Sequence, residues 1–215
     1  NPFDVLNLPV TARTSLPPDN LYQKISLSGG MNLLSSIRVT ALAEYGIMKQ
    51  NEDLLPYSNN PASTITTPLP RATADAEVDI TNLTLNLSSR PSQRLGLNAR
   101  YRYYVTENKT PKALFQYVKN DAGVAQAALT DAHAVYNLPY DYAQNQLKLD
   151  ASYYFFRDTT LKAGYDYDLI DRDFREIKQT EENTFRVALQ SQYIPPANIG
   201  LKYSYAEKSG KDSYE

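Results

Sequence analysis

The sequence predicts an all-β protein: an antiparallel, up-and-down transmembrane β-barrel to which these 215 residues contribute about eight strands. Three observations predict it. Apolar and polar side chains alternate with a period of two in segment after segment, as in strands with one face against something apolar. The connections between those segments alternate short and long, the plan of barrels with brief turns at one rim and extended loops at the other. The chain also holds 18 Tyr and 6 Phe but no Trp, at a mean hydropathy of −0.51. A tyrosine ring suits places where one end is dry and the other wet, such as a membrane interface.

The elements follow in order. Residues 1–21 form a lead-in, and residues 22–30 make a weak first strand before the short connection 31–36. Ile37, Val39, Ala41, Ala43, Tyr45 and Ile47 then alternate, less cleanly, with Arg38, Thr40, Leu42, Glu44 and Gly46. A long loop is expected near 49–77. Leu83, Leu85 and Leu87 alternate with Asn82, Thr84, Asn86 and Ser88, and 88–94 is short. Leu95, Leu97, Ala99, Tyr101, Tyr103 and Val105 oppose Gly96, Asn98, Arg100, Arg102 and Tyr104, before a second long loop near 106–144.

The clearest hairpin lies at 147–169. There Leu147, Leu149, Ala151, Tyr153 and Phe155 are followed, after Arg157-Asp158-Thr159, by Leu161, Ala163, Tyr165, Tyr167 and Leu169. A third long loop is expected near 171–182. Phe185, Val187, Leu189, Ser191 and Tyr193 and then Ile199, Leu201, Tyr203 and Tyr205 complete an array spanning 22–208, with 194–198 short between them. Residues 209–215 leave polar, as the start of a further loop, so the chain is expected to be a segment of a larger barrel. Strands of about 9–11 residues suffice for a tilted membrane crossing.

Height sorts the aromatic residues. With the short turns periplasmic, Tyr45, Tyr101, Tyr103, Tyr165, Tyr167, Tyr203 and Tyr205 fall at the extracellular end, and Tyr153, Phe155 and Tyr193 at the periplasmic end. Leu, Ala and Val lie between. These two rows match the aromatic girdles that anchor barrels at both interfaces. A soluble β-sandwich has no reason to sort its tyrosines this way, although a tyrosine-rich carbohydrate-binding β-domain is an alternative on composition alone. Tyr104, Tyr154 and Phe156 sit on the polar parity and fit less neatly.

If the apolar parity meets lipid, the other lines a lumen. Its expected wall residues are Arg38, Glu44, Asn98, Arg100, Arg102, Lys148, Asp150, Lys162, Asp166, Arg186, Gln190 and Lys202. Both signs occur, without one dominating, which suits a wide aqueous lumen or one holding a polar protein plug.

Charge and composition exclude several function classes. Twenty-two Lys and Arg against 24 Asp and Glu leave a net charge of −2 and no basic field for nucleic acid. With no cysteine and only His133, the chain offers neither a thiolate metal site nor covalent haem attachment nor a catalytic triad, so no enzymatic activity is expected. No run of about 18 apolar residues is present to form a transmembrane helix. An acidic group at Asp166, Asp168, Asp171, Asp173, Glu176, Glu181 and Glu182 would suit Ca²⁺ or the docking of an extracellular cytochrome. Interleaved Arg172, Arg175 and Lys178, without a D-x-[DN]-x-[DN]-G spacing, favour a solvated loop.

Several strings, in order, resemble the MtrB/PioB family of outer-membrane porins. They are Pro18-Asp19-Asn20, Gln50-Asn51-Glu52-Asp53-Leu54-Leu55-Pro56-Tyr57, Leu69-Pro70-Arg71, Ser89-Arg90-Pro91 and Tyr101-Arg102-Tyr103. Leu149-Asp150-Ala151-Ser152-Tyr153, Ala163-Gly164-Tyr165-Asp166-Tyr167-Asp168, Arg172-Asp173 and Thr180-Glu181-Glu182-Asn183-Thr184 continue the match across roughly 17–205. The resemblance implies a large barrel in the bacterial outer membrane that sheathes a periplasmic multihaem c-type cytochrome. An extracellular multihaem cytochrome at the long loops is a further partner it suggests. Haem would then belong to the partner, with no cofactor in this chain, and electrons would cross the membrane through it. The alternative function is a general or substrate-specific porin.

Overall fold

Residues 18–57, 68–116, 134–156, 158–192 and 197–213 are described by the computed structural model. Tyr193, His133 and Arg157 lie outside them.

Period-two alternation produces strands throughout. They are β1 (Leu21–Leu34), β2 (Ile37–Gln50), β3 (Ala76–Ser92), β4 (Leu95–Asn108), β5 (Leu114–Gln116), β6 (Ala134–Tyr136), β7 (Tyr142–Phe156), β8 (Thr159–Arg172), β9 (Ile177–Ser191) and β10 (Ile199–Ser213). Eight form one sheet in the order β1-β2-β3-β4-β7-β8-β9-β10, while β5 and β6 pair separately. Each neighbour in the large sheet is next along the chain, apart from the β5–β6 excursion between β4 and β7. That order is the up-and-down meander of a barrel wall.

The chain divides into two compact units. One comprises Asn1–Leu21, Met48–Glu77 and Lys109–Pro139; the other comprises Tyr22–Ile47, Val78–Asn108 and Tyr140–Glu215. In the first, the Lys49 ammonium lies 2.8 Å from Glu77. Arg71 donates to the Pro111 carbonyl at 2.9 Å and stands 5.9 Å over the Phe115 ring. Asn137 ties one end of the small β5–β6 pair, accepting from the Ala113 amide at 2.6 Å and donating to the Pro111 carbonyl at 3.0 Å.

The strands of the second unit run longer than expected, 14 to 17 residues rather than 9–11. The expected long loop at 171–182 is therefore a correction: β8 and β9 continue into it, and only 173–176 turn. Asp168 pairs with Glu182, Leu169 with Glu181 and Asp171 with Gln179 in an unbroken ladder. Likewise 209–213 extend β10 rather than opening a loop, with Ser209 opposite Glu181 and Lys211 opposite Gln179. The physical reason is common to both. Alternation reports where one face is apolar, whereas backbone pairing needs no apolar side chain and runs on past that zone.

No apolar side chain among the described residues is buried. A β-sandwich closes its apolar face against a second sheet; here Leu201 is 70 % and Val187 48 % exposed. The soluble-sandwich alternative fails on that ground.

Candidate functional site

Register fixes which side chains share a face, because facing residues in antiparallel strands project to the same side. From β3 to β10 every printed partner of an even-numbered residue in the regular ladder is even-numbered, so parity is kept across the sheet. One row of the even face runs Asn86–Arg100–Lys148–Asp166–Thr184–Ala206. The next runs Ser88–Asn98–Asp150–Gly164–Arg186–Ser204, and a third Gly96–Ser152–Lys162–Ala188–Lys202.

Arg186 organises the middle of this face. Its Nη2 donates to Asp166 Oδ1 at 2.8 Å and to Asp150 Oδ1 at 3.0 Å. Its Nε stands 2.8 Å from Asp166 Oδ2, a close ion-pair contact too poorly aligned to count as a hydrogen bond. Asp150 lies two strands away, so Arg186 reaches it across Gly164 of the intervening strand. A Cβ on Gly164 would stand 2.8 Å from Arg186 Cζ and Nη2 and from Asp150 Oδ1. The missing side chain is the seat of the triad.

Towards the long-loop end the even face carries a second polar network. The Lys24 ammonium meets Glu44 at 2.7 Å, and Asn82 donates to the other Glu44 oxygen at 2.7 Å. Arg102 Nε donates to Asn82 at 3.1 Å and stands 4.8 Å over the Tyr104 ring. Gln144 donates to both oxygens of Asp168, at 2.9 and 3.0 Å, and Gln146 reaches one at 3.3 Å. Two of the three aromatic residues of polar parity thus have a use: Tyr104 also packs edge-on against Tyr142, and Tyr154 faces Arg90 at 5.9 Å.

The odd face is its opposite in chemistry. Leu87–Ala99–Leu149–Tyr165–Phe185–Tyr205 forms one row, and Leu97–Ala151–Ala163–Val187–Tyr203 the next. At the long-loop edge Tyr101 donates to Asn145 at 2.8 Å and Tyr165 to Asn183 at 2.6 Å. At the short-turn end Tyr153 and Phe155 pack edge-on with centroids 4.8 Å apart. Rings whose hydroxyls point to amides beyond an aliphatic band have the wet and dry ends an interface demands.

The structure brings ten of the twelve expected wall residues, Asn98, Arg100, Arg102, Lys148, Asp150, Lys162, Asp166, Arg186, Gln190 and Lys202, onto the even face by register. Glu44 joins them through Asn82, and Arg38 lies on β2 beside the Ser35–Ser36 turn. The expectation that neither charge sign dominates is corrected. The three central rows carry five cations and two carboxylates, a net +3. The acidic group of 166–182 is dispersed rather than gathered. Asp171 accepts from Gln179, Glu182 faces Lys208 at 3.3 Å, and Glu181 faces Lys211 at 3.2 Å. Among the described residues no three acidic or histidine side chains are grouped to hold a metal ion. Lys24, Asn82, Gln144, Gln146 and Asp168 belong to the even face but were missing from the expected set. Their parity was the available signal.

Comparison with known proteins gives three findings. Residues 5–215 match the family model described as "Putative outer membrane beta-barrel porin, MtrB/PioB". The chain is 26 % identical over 198 residues to outer membrane protein MtrB of Shewanella baltica, covering 92 % of this chain but 26 % of that protein. It thus spans about a quarter of the length of this curated relative. Among solved structures, OmpT of Vibrio cholerae covers 86 % of this chain and 54 % of its own at 10 % identity and a TM-score of 0.42. The fold rests on the family match and on the sheet itself.

Proposed function

This chain belongs to the MtrB/PioB family of outer membrane β-barrel porins, and we propose that it forms wall of a barrel that holds a multihaem c-type cytochrome in its lumen. The chain is an outer-membrane protein, and its family is one of porins rather than enzymes. The observation that carries the proposal is the two-sided sheet. Its odd face is aliphatic between tyrosine rows and uncovered, which suits lipid. Its even face is polar and laced with ion pairs, which suits a hydrated lumen or the surface of an inserted protein.

With the short turns at the periplasmic rim, the strand ends that the connections 51–75 and 109–141 join belong to the extracellular rim, the side from which an extracellular cytochrome would approach. The chain's part in electron transfer is passive: it insulates the partner's haems from lipid and sets their position. The redox groups come from the partner, since no cysteine is available here for c-type attachment.

A solute-conducting porin is the second reading, and the net positive charge at mid-height favours it, because one sign clustered in a pore selects ions. One experiment separates the two. The full-length protein is purified from outer membranes in mild detergent and its absorption spectrum recorded. A haem band in stoichiometric amount is expected; a colourless, detergent-dependent barrel would contradict the sheath and support the channel.

A further inference from the structure

We infer that the mid-height of the even face is a docking belt for a carboxylate-rich protein surface, held by Arg100, Lys148, Lys162 and Lys202. The inference rests on the proposed lumen-filling partner and names the chemistry of the surface that partner presents.

The belt holds two kinds of cation. Arg186 is half-buried and has both carboxylates of the central rows, Asp150 and Asp166, to itself. Lys148 faces Asp166 across the ladder, yet that carboxylate is turned to Arg186. Lys148, Arg100, Lys162 and Lys202 are exposed and make no ion pair among the described residues. Arg100 and Lys148 stand directly opposite each other, a juxtaposition of like charges that destabilises a sheet. Lys162 and Lys202 share a row, with only Ala188 between them.

A wall that needed only hydration is already illustrated by its neighbours Asn86, Asn98, Ser152 and Ser204. Cations set against each other call for an anion, and among the described residues the even face has none to spare. Asp168 and Glu182, one row further out, are engaged by Gln144 and Lys208. The anion therefore comes from outside the sheet. Arg100 on β4 and Lys202 on β10 are four strands apart, roughly 19 Å at the usual strand spacing. One small anion cannot span that width, whereas an extended acidic surface can.

The test uses the full-length protein from outer membranes, with haem absorbance per barrel measured in washes of low and high NaCl. The variant Arg100→Gln/Lys148→Gln/Lys162→Gln/Lys202→Gln is compared with Lys49→Gln/Lys211→Gln, which removes two paired cations of odd number. Heat-modifiable migration verifies barrel assembly, and the double variants Arg100→Gln/Lys148→Gln and Lys162→Gln/Lys202→Gln serve should the quadruple fail to assemble. The expected result is retained haem in wild type and control, with a loss of about tenfold or more in the belt variants that high salt reproduces in wild type. Equal haem at every salt in wild type and belt variants overturns the belt and leaves the sheath standing. A wild-type barrel without haem overturns the sheath and the belt with it, and anion-selective conductance by that barrel would then assign the cations to a pore.

Discussion

The two faces of the central strands are built from the same residues of backbone and differ in what completes them. On the even face completion is internal where it can be: Arg186 takes Asp150 and Asp166, and Glu44 takes Lys24 and Asn82. On the odd face nothing among the described residues completes the aliphatic band, and Leu149, Val187, Leu189 and Leu201 stay open. The lesson is that one face makes its own contacts and the other leaves them to the surroundings, so substitutions should weigh very differently on the two.

The sharpest break of that contrast is a charge at mid-height. Leu149→Arg on the odd face should cost about 2–4 kcal/mol and reduce heat-modifiable barrel in membranes, whereas Asn98→Arg on the even face of the neighbouring strand should assemble normally. Equal assembly of the two would remove the distinction between faces.

Next comes the seat of the triad. Gly164→Ala should push Arg186 off Asp150 and cost about 1 kcal/mol or less, because the charges are partly solvated. Guanidinium unfolding of the liposome-reconstituted protein would measure it. Asp150→Ala should cost markedly less in the Gly164→Ala background than alone; additive costs would mean that the glycine does not seat the pair.

A smaller effect is expected at the odd-face margin. Tyr165→Phe removes the hydroxyl that Asn183 accepts and should cost about 0.5–1 kcal/mol in the same unfolding assay. The smallest belongs to the far end of β10, where the Lys211–Glu181 pair is exposed. Lys211→Met should change stability by about 0–0.5 kcal/mol, and less still in high salt.

Much of this was legible in the sequence, and the limits have physical causes. Strands β2, β4, β7, β8 and β9 announce themselves because Leu, Ala, Val and Tyr recur at every second position. β1 is legible only in part, since Gly29-Gly30 interrupt the alternation of Leu21, Ile25 and Leu27 with Tyr22, Lys24 and Ser26. The ends of β8, β9 and β10 read as loops because Asp171, Gln179, Glu181 and Lys211 make the otherwise apolar odd parity polar as well, although the ladder continues through them. The Arg186 triad was beyond reach. It depends on Gly164 facing both Asp150 and Arg186, and register is a property of strand pairing that no local spacing states.

The central claim is that odd side chains face lipid and even ones do not. These 215 residues contain no cysteine, so single cysteines placed here report on one position each within the segment. Leu149→Cys, Val187→Cys and Leu201→Cys would be compared with Ser152→Cys, Ala188→Cys and Gln190→Cys, each labelled with a small fluorophore and reconstituted into brominated lipid. The account predicts strong quenching at the three odd positions and little at the three even ones. Quenching that ignores parity, or favours the even positions, would contradict it.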